Sequence, residues 1–485
     1  MSCTTILVGK NASNDHSTMI SRSEDLQFEV KKMTVVLPKD QPRKYKSVLS
    51  HVEIELPDDP MRYTACPHVS GEKGIWAATG INACNVGMTA TETLTTNSRV
   101  LAADPLVELQ KAKSRREKEI PGGIGEEDMV VITLPYVKTA REAVLRLGSL
   151  LEQYGTYENN GIAFNDENEV WWLDTIGGHH WIARRVPDDA VVINPNQFFT
   201  DTFDLDDAFG AKKDHLCSAD LREFIRDNHL DLGQDGVFSP RTAFGSRYDS
   251  DHIYNTPRAW FIGRYLNPTK YRWDGPDADF TPESDNIPWS FVPEHKVTVE
   301  DMKYMLSSYY QGTPYNPYGS DDKRGVYRPI GISRTGVTSI CQIRPDMPEE
   351  IKAVEWICFT SDSFAAMIPL YANVNKIPAY LSDVSLEFNS EQFYWASKLI
   401  NVLTDHDFAT CIQINERYQR AVFAKTARLI WEYDHRMTET GDFTLTEEAN
   451  EKICAVVKAA TNDVMTKLLQ QGALTMRNGF HRADR

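Results

Sequence analysis

The residue with the clearest chemical potential in this sequence is Cys3, which lies two residues from the start and precedes a strand-like run at 4–8. A thiol becomes a strong nucleophile once a nearby base takes its proton. If Met1 and Ser2 were removed, the freed α-amine of Cys3 would itself be that base. We therefore predict that Cys3 carries both the nucleophile and its base. Autocatalytic removal of a propeptide, residues 1–2, would expose its amine.

A hairpin is predicted to hold a cation beside this thiol. The segment 9–17 is rich in Gly, Asn, Asp and Ser, and it separates the first run from a second one at 18–22. A hairpin centred on this loop sets Cys3 opposite Arg22, whose guanidinium could stabilise a thiolate. Asp25 then follows the strand end, where it could position the amine. Cys3 as a small buried side chain, with Arg22 and Asp25 as a surface pair, remains the alternative.

Several motifs resemble the dipeptidase family of the N-terminal nucleophile (Ntn) cysteine hydrolases, relatives of penicillin V acylase and bile-salt hydrolase. None is specific alone, but they follow the order of the family and reach at least to Trp356. The matching segments are 3–9, 21–25, 80–82 running on to 89–93, 175–181, 185–189, 195–198 and 254–260.

The resemblance implies a charged group around the nucleophile. Cys3 is implied as the nucleophile, Arg22 and Asp25 as the Arg-x-x-Asp that flanks it, and Arg258 as the second arginine of the site. A cysteine thiol has a pKa of about 8.5 and an α-amine of about 7.7 to 8.0, so the amine is partly neutral near pH 7 and can accept the thiol proton. A nearby guanidinium would lower the thiol pKa further.

The resemblance also implies two asparagines. Asn82, in Gly-Ile-Asn, is implied as an oxyanion-hole donor, and Asn196, in Pro-Asn-Gln-Phe, as a group that binds near the amine and the oxyanion. Fixed neutral donors stabilise a tetrahedral oxyanion by about 3 kcal/mol each. Ala83 stands where many members of the family have Glu, which leaves the oxyanion role intact. Both asparagines also suit turns, and that structural interpretation stays open.

The predicted elements alternate strands with helices and indicate an α+β fold. Apolar residues at three- and four-residue steps predict an amphipathic helix over 140–154, and the run at 129–137 is interpreted as a buried strand. Other predicted strands are a hairpin of 161–164 with 170–173, and 179–183, 339–343 and 365–371. The resemblance implies a four-layer αββα sandwich. We therefore expect a catalytic domain over 3–385 with an insertion around 201–330, and a helical C-terminal extension over 386–485.

Composition restricts partners and location. The 485 residues carry 52 basic and 69 acidic side chains, a formal charge of −17 that argues against nucleic acid as a partner. No apolar run is long enough for a membrane helix, and the start is too short and polar for a secretory signal. The eight cysteines are scattered without a Cys-x-x-Cys pair, as in reduced proteins. We expect a cytoplasmic homo-oligomer.

Neither a metal nor a cofactor is expected. Neighbouring residues on a strand point to opposite faces, so His179 and His180 should not share a metal ion. The acidic segment 274–279 lacks the glycine and glutamate spacing of a calcium loop.

The resemblance implies a cysteine-dependent dipeptidase with broad specificity for small peptides that have a free amino end. A dipeptide needs an anion for its ammonium, for which Glu92 or Asp174 is a candidate, and a donor for its carboxylate, for which Arg258 is one. Two alternatives remain: an acylase that cleaves penicillin V or bile-acid amides, and a non-catalytic, secernin-like binding protein. Release of products from dipeptides or from N-acyl amides distinguishes the first two, and no hydrolysis at all would favour the third.

Overall fold

The computed structural model describes residues 3–26, 28–114, 116–234 and 236–476, and for 90–92 it describes the backbone alone. The predicted propeptide, 1–2, lies outside these residues. Within the described residues the strands are β1 (Thr4–Val8), β2 (Thr18–Asp25), β3 (Thr34–Val36), β4 (Lys44–Lys46), β5 (Glu53–Glu55), β6 (Tyr63–Ala65), β7 (Thr79–Ile81), β8 (Gly87–Thr93), β9 (Asn160–Asn165), β10 (Val170–Thr175), β11 (Trp181–Arg185), β12 (Val191–Asn194), β13 (His215–Cys217), β14 (Ser290–Phe291), β15 (Thr335–Ile343), β16 (Ala353–Phe359) and β17 (Ile368–Tyr371).

The α-helices in the same residues are α1 (Ser98–Ala103), α2 (Glu126–Thr133), α3 (Ala140–Tyr154), α4 (Leu205–Phe209), α5 (Leu221–Asp227), α6 (Pro240–Ala243), α7 (Asp251–Tyr254), α8 (Thr256–Leu266), α9 (Val299–Leu306), α10 (Ala379–Ser382), α11 (Phe393–His406), α12 (Phe408–Thr440) and α13 (Leu445–Thr475). Short 3₁₀ turns cover Pro38–Asp40 and Leu134–Tyr136. None of these helices is long and apolar enough to cross a membrane.

Two antiparallel sheets organise the fold. One has seven strands in the order β14-β12-β1-β2-β15-β16-β17, and the other has six in the order β13-β11-β10-β9-β8-β7. The sheets contact each other through β2 and β15 on one side and β7 to β10 on the other. The hydroxyls of Thr79 and Ser339 lie 3.0 Å apart across this contact, and Asn165 Nδ2 donates to the Cys341 carbonyl at 3.1 Å. The mixed α and β content agrees with the predicted α+β class.

Helices cover the outer surfaces of both sheets. The helix α3 packs on β9, β10 and β11, and α2 packs near β8. On the other side, α11, α12 and α13 pack on β16 and β17. Residues 393–475 are therefore mainly helical, as the apolar stripes predict. The division into a catalytic domain and an extension stays a prediction, and the segment 201–330 contributes β14 to the seven-stranded sheet.

The β1–β2 hairpin forms as predicted, but its register differs. Thr5 lies opposite Arg22 and Thr4 opposite Ser23, so Cys3 is not the direct neighbour of Arg22. The shift is two residues, which preserves the alternation of faces, so Cys3, Thr5 and Arg22 still belong to the same face. The strand β2 also includes Asp25, which the prediction set beyond its end.

The interpretation of 129–137 as a strand is wrong. Residues Glu126–Thr133 form α2 and Leu134–Tyr136 a 3₁₀ turn. Asp128 Oδ2 accepts the Gly125 N–H at 2.9 Å and caps the helix start. A short apolar run buried on every side has no face periodicity, so β-branched content favoured a strand, whereas the cap and the tertiary packing stabilise a helix.

The other predicted elements near the second sheet are mostly confirmed. The helix over 140–154 and the hairpin of β9 with β10 have the expected positions. His179 and His180 precede β11 instead of beginning it, and the imidazole Nδ1 of each lies near the Asp104 carboxylate, at 3.3 Å and 2.7 Å. The argument that they point to opposite faces of a strand is therefore wrong.

Asn450 attaches the C-terminal helices to the edge of the seven-stranded sheet. Its fully buried amide on α13 accepts the Tyr371 N–H at 2.9 Å and donates to the Tyr371 carbonyl at 3.0 Å. It thereby satisfies backbone groups of the edge strand β17 that another strand would otherwise pair.

We predict that Asn450→Ala lowers the free energy of unfolding by about 2 to 4 kcal/mol, because two buried backbone groups lose their partners. Chemical denaturation of the purified variant measures this loss. The matched control is Asn462→Ala, an exposed asparagine on the same helix, which should stay within about 0.5 kcal/mol of the wild type. Equal stability of the two variants would contradict this role of Asn450.

Candidate functional site

The thiol of Cys3 lies beside the guanidinium of Arg22. Cys3 is fully buried at the start of β1, and Arg22 Nη2 donates to Cys3 Sγ at 3.2 Å. Arg22 lies on β2, between β1 and β15, so sheet hydrogen bonds on both sides hold its backbone. Its long side chain spans the two-residue difference in register. A cation at this distance stabilises the thiolate, which is the nucleophilic form of cysteine.

The backbone of Cys3 is held by Asn196 and Arg258. The Cys3 N–H donates to Asn196 Oδ1 at 2.7 Å, and Arg258 Nη1 donates to the Cys3 carbonyl. Arg258 Nη2 also donates to Asn196 Oδ1 at 2.9 Å and to Asn255 Oδ1 at 2.7 Å. Arg258 is fully buried on α8 and its guanidinium contacts Cys3, Asn196 and Asn255, so the expected contact with a substrate carboxylate does not fit this arrangement.

A chain of buried charges continues from Arg22. Its Nη2 forms an ion pair with Glu126 Oε1 at the start of α2, and Glu24 Oε1 lies 4.0 Å from the same nitrogen. Glu24 Oε2 in turn lies 2.7 Å from Lys31 Nζ, which also donates to the Cys66 and Trp76 carbonyls. These four charged side chains are almost completely buried.

Burial and the neighbouring charges shift the pKa values of Arg22, Glu24 and Lys31. Burial alone would lower the pKa of Arg22, but Cys3, Glu126 and Glu24 outweigh it and raise that pKa. Burial raises the pKa of Glu24, against the opposing effect of Lys31, and it lowers the pKa of Lys31. Arg22 therefore keeps its charge beside the thiol at neutral pH.

Asp25 belongs to a second buried ion pair. Arg328 Nη2 donates to Asp25 Oδ2, and the Thr335 hydroxyl donates to Asp25 Oδ1 at 2.6 Å. Burial lowers the pKa of Arg328 to about 10, while the nearby Cys3 opposes that shift. Asp25 is thus connected to the site through Arg328, a residue that the sequence analysis did not select.

Asn82 does not join this group. Its Nδ2 donates to the carbonyls of Leu134 and Val137 at 2.8 and 2.7 Å, and its Oδ1 accepts the N–H groups of Cys84 and Val86. Both amide hydrogens are used, so the expected oxyanion role does not fit this arrangement. Asn82 instead joins the turn after β7 to the 3₁₀ turn that follows α2, which is the structural alternative.

The two candidates for binding a substrate ammonium have different outcomes. Asp174 is buried within β10, and its oxygens accept the Trp172 indole N–H and the Thr200 hydroxyl, each at 2.6 Å. Burial raises its pKa to about 7. Both oxygens are occupied inside the fold, so the expected role does not fit Asp174. The side chain of Glu92 lies outside the described residues.

Sequence reasoning missed Glu126, Arg328 and Asn255. Glu126 follows the glycine-rich segment 121–125, and acidic residues after a glycine are typical of a helix start. That signal was present but was outweighed by the apolar run after it. Arg328 and Asn255 are identifiable only in three dimensions. No group of three or more His, Cys, Asp or Glu side chains within the described ranges is arranged to hold a metal ion.

Comparison with known proteins gives the family. Residues 2–421 match the model of Peptidase family C69, so the chain belongs to that family. A "Dipeptidase" from Bifidobacterium longum is 48% identical over 534 residues, with all of both chains covered. A "Probable dipeptidase A" from Streptococcus pyogenes is 48% identical over 490 residues, covering 100% of this chain and 98% of that protein. The predicted resemblance to the dipeptidase family is confirmed.

One solved structure is also similar, that of a mutant conjugated bile acid hydrolase from Clostridium perfringens. The match covers 76% of this chain and 92% of that chain at 10% identity, with a TM-score of 0.31. A score this low supports no statement about the fold or the site.

We predict that Arg22→Gln raises the pKa of the Cys3 thiol by about one unit or more, because the thiolate loses its adjacent cation. The rate of alkylation by iodoacetamide should therefore rise at a higher pH than in the wild type. Both proteins carry Cys84→Ser, because the exposed Cys84 would also be alkylated. The half-buried Cys217 needs no substitution, because burial raises its pKa to about 12.

The matched control for this experiment is Arg22→Lys, which keeps the charge and should keep most of the thiol acidity. An Arg22→Gln profile that coincides with the wild type would show that Arg22 does not set the state of the thiol.

Proposed function

We propose that this protein is a dipeptidase that uses Cys3 as an N-terminal nucleophile, after removal of Met1 and Ser2. The observation that carries the proposal is that Arg22 contacts the Cys3 thiol while Asn196 contacts the nitrogen of the same residue. Membership of Peptidase family C69 and the names of the similar proteins support the reaction class.

In the first step the free amine of Cys3 takes the thiol proton, and Arg22 stabilises the resulting thiolate. Asn196 Oδ1, 2.7 Å from the nitrogen, orients the amine toward this proton. Arg258 fixes both Asn196 and the Cys3 carbonyl, so neither partner has to reorganise during the transfer. A peptide nitrogen has no basic lone pair, which is why the chain must begin at Cys3.

In the second step the sulfur attacks the scissile carbonyl and its oxygen becomes an oxyanion. Arg22 Nε and Nη1 are buried and have no hydrogen-bond partner among the described residues, and we assign them to this oxyanion. A buried donor without a partner costs about 1 to 3 kcal/mol, which binding of the oxyanion would remove. The protonated Cys3 amine then gives its proton to the departing amine.

Water completes the cycle. The amine removes a proton from a water molecule, and the hydroxide attacks the thioester that links Cys3 to the first amino acid. Collapse of this second tetrahedral intermediate releases the amino acid and returns the proton to the sulfur. Atoms balance as one dipeptide and one water giving two amino acids.

The alternatives receive less support. An acylase would act on N-acyl amides, whereas the similar curated proteins are named as dipeptidases. A non-catalytic binding protein would not need charged groups buried around a thiol, because buried charges are costly to maintain. Broad specificity, a cytoplasmic location and a homo-oligomer remain part of the proposal. The order of helices and sheets supports the four-layer αββα arrangement.

We predict that the active enzyme begins at Cys3 and that Cys3→Ala abolishes release of amino acids from dipeptides, because this substitution removes the nucleophilic sulfur. Intact mass identifies the first residue of the chain, and a dipeptide hydrolysis assay on the same preparation measures the activity. The matched control is Cys84→Ala, an exposed cysteine after β7, which should retain activity.

A fully active species that keeps Ser2 would contradict the α-amine mechanism. An active Cys3→Ala enzyme would contradict the nucleophile itself.

A further inference from the structure

The start of α2 holds more negative charge than the surrounding residues neutralise. Five carboxyl groups lie at or beside this helix start, and in the described part of the chain Arg22 and Lys31 form ion pairs with only two of them, Glu24 and Glu126. The five are Glu24, Glu126, Glu127, Asp128 and Glu158.

Three of these carboxyls show the effect of the imbalance. Burial, and then repulsion by neighbouring carboxylates, raises the pKa of Glu127 and of Glu158 to about 7. Burial also raises the pKa of Asp128 to about 6. Within the described ranges none of the three forms an ion pair with Lys, Arg or His.

Two of the three are stabilised by hydroxyl groups and one is not. Glu127 accepts from Ser47 and Tyr157, and Asp128 accepts from Tyr45. Glu158 accepts the Glu126 N–H at 2.8 Å, and the nearby Asn160 amide favours its charged form without reaching hydrogen-bond geometry. Glu158 is partly accessible, so a ligand can approach it.

A second observation comes from Glu126. The Glu126 side chain is only 1% exposed, and its Oε1 is paired with Arg22. Its Oε2 is buried and has no hydrogen-bond partner in the described residues. A buried carboxylate oxygen without a donor is costly unless a ligand supplies one.

The position of these carboxylates matches the geometry of a dipeptide. One nitrogen, Arg22 Nη2, contacts both Cys3 Sγ and Glu126 Oε1, so the carboxylate lies next to the nucleophile. In a dipeptide the α-ammonium is two bonds from the scissile carbonyl carbon, which sits about 3 to 3.5 Å from the sulfur at attack. A group that binds the ammonium must therefore lie close to the thiol, as Glu126 does.

Resting on the proposed dipeptidase activity, we infer that Glu126 and Glu158 form the subsite for the substrate α-ammonium. The ammonium donates to Glu126 Oε2 and to the Glu158 carboxylate. This subsite selects peptides with a free amino end, because an N-acyl amide supplies no ammonium to the two carboxylates.

The test compares L-alanyl-L-alanine with propionyl-L-alanine, which has hydrogen in place of the ammonium. The wild type should prefer the dipeptide strongly in kcat/KM. In Glu158→Gln the dipeptide kcat/KM should fall about 30-fold or more, mainly through KM, while propionyl-alanine changes less than about threefold. Glu126→Gln should lose the same preference and is the second variant if the first does not fold.

The matched control is Glu127→Gln, which removes a carboxylate from the same helix. Two hydroxyls already satisfy the Glu127 carboxylate, so this variant should keep the preference for the dipeptide over propionyl-alanine. Equal losses for both substrates in Glu158→Gln and Glu126→Gln would overturn the subsite and leave the dipeptidase activity standing. A wild type that hydrolyses no dipeptide would instead overturn the proposed function, and the subsite with it.

Discussion

The site depends on one nitrogen, Nη2 of Arg22, which contacts the Cys3 thiol and the Glu126 carboxylate together. A buried guanidinium is tolerated only if anions surround it, and the groups in contact with Arg22 are the Cys3 thiol and the Glu126 carboxylate, which we propose as the nucleophile and as part of the ammonium subsite. The same charge therefore stabilises the thiolate and positions the carboxylate beside it. Glu24 and Lys31 extend this ion chain into the core and restrict where Arg22 can point.

The fold supplies the rigidity that this contact needs. Arg22 lies on a central strand with neighbours on both sides, Cys3 directly precedes the adjacent strand β1, and α8 carries Arg258 to the Cys3 carbonyl. Because sheet and helix hydrogen bonds fix the backbones of Arg22 and Arg258, and side chains hold the backbone of Cys3, the thiol and the nitrogen of Cys3 keep separate partners. In the proposed mechanism the nucleophile and the base belong to one residue and must be oriented independently, and the contacts of Arg22 with the sulfur and of Asn196 with the nitrogen supply that separation.

Local patterns predicted the parts of the site that are close in sequence. The turn-rich segment and the alternation of faces were sufficient to bring Cys3 and Arg22 together, although the register was wrong by two residues. Contacts between distant segments were beyond those patterns: Glu126 is 104 residues from Arg22, and Arg328 is 303 residues from Asp25. A Gly-Ile-Asn motif does not reveal that the Asn82 amide donates to the carbonyls of Leu134 and Val137. The apolar run of α2 was interpreted as a strand because burial on all sides removes periodicity.

The central claim is that the Cys3 sulfur attacks the substrate carbonyl, and a substrate-like alkylating agent tests it most directly. Alanine chloromethyl ketone has the free ammonium of a dipeptide and a carbon at which a thiolate displaces chloride. After incubation, peptide mass mapping identifies the modified residue. An assay of residual activity measures the activity lost. The account predicts one adduct per chain, on a peptide that begins at Cys3, with activity lost in proportion to labelling. Loss of activity with the adduct on another residue, or full activity with Cys3 labelled, would contradict it.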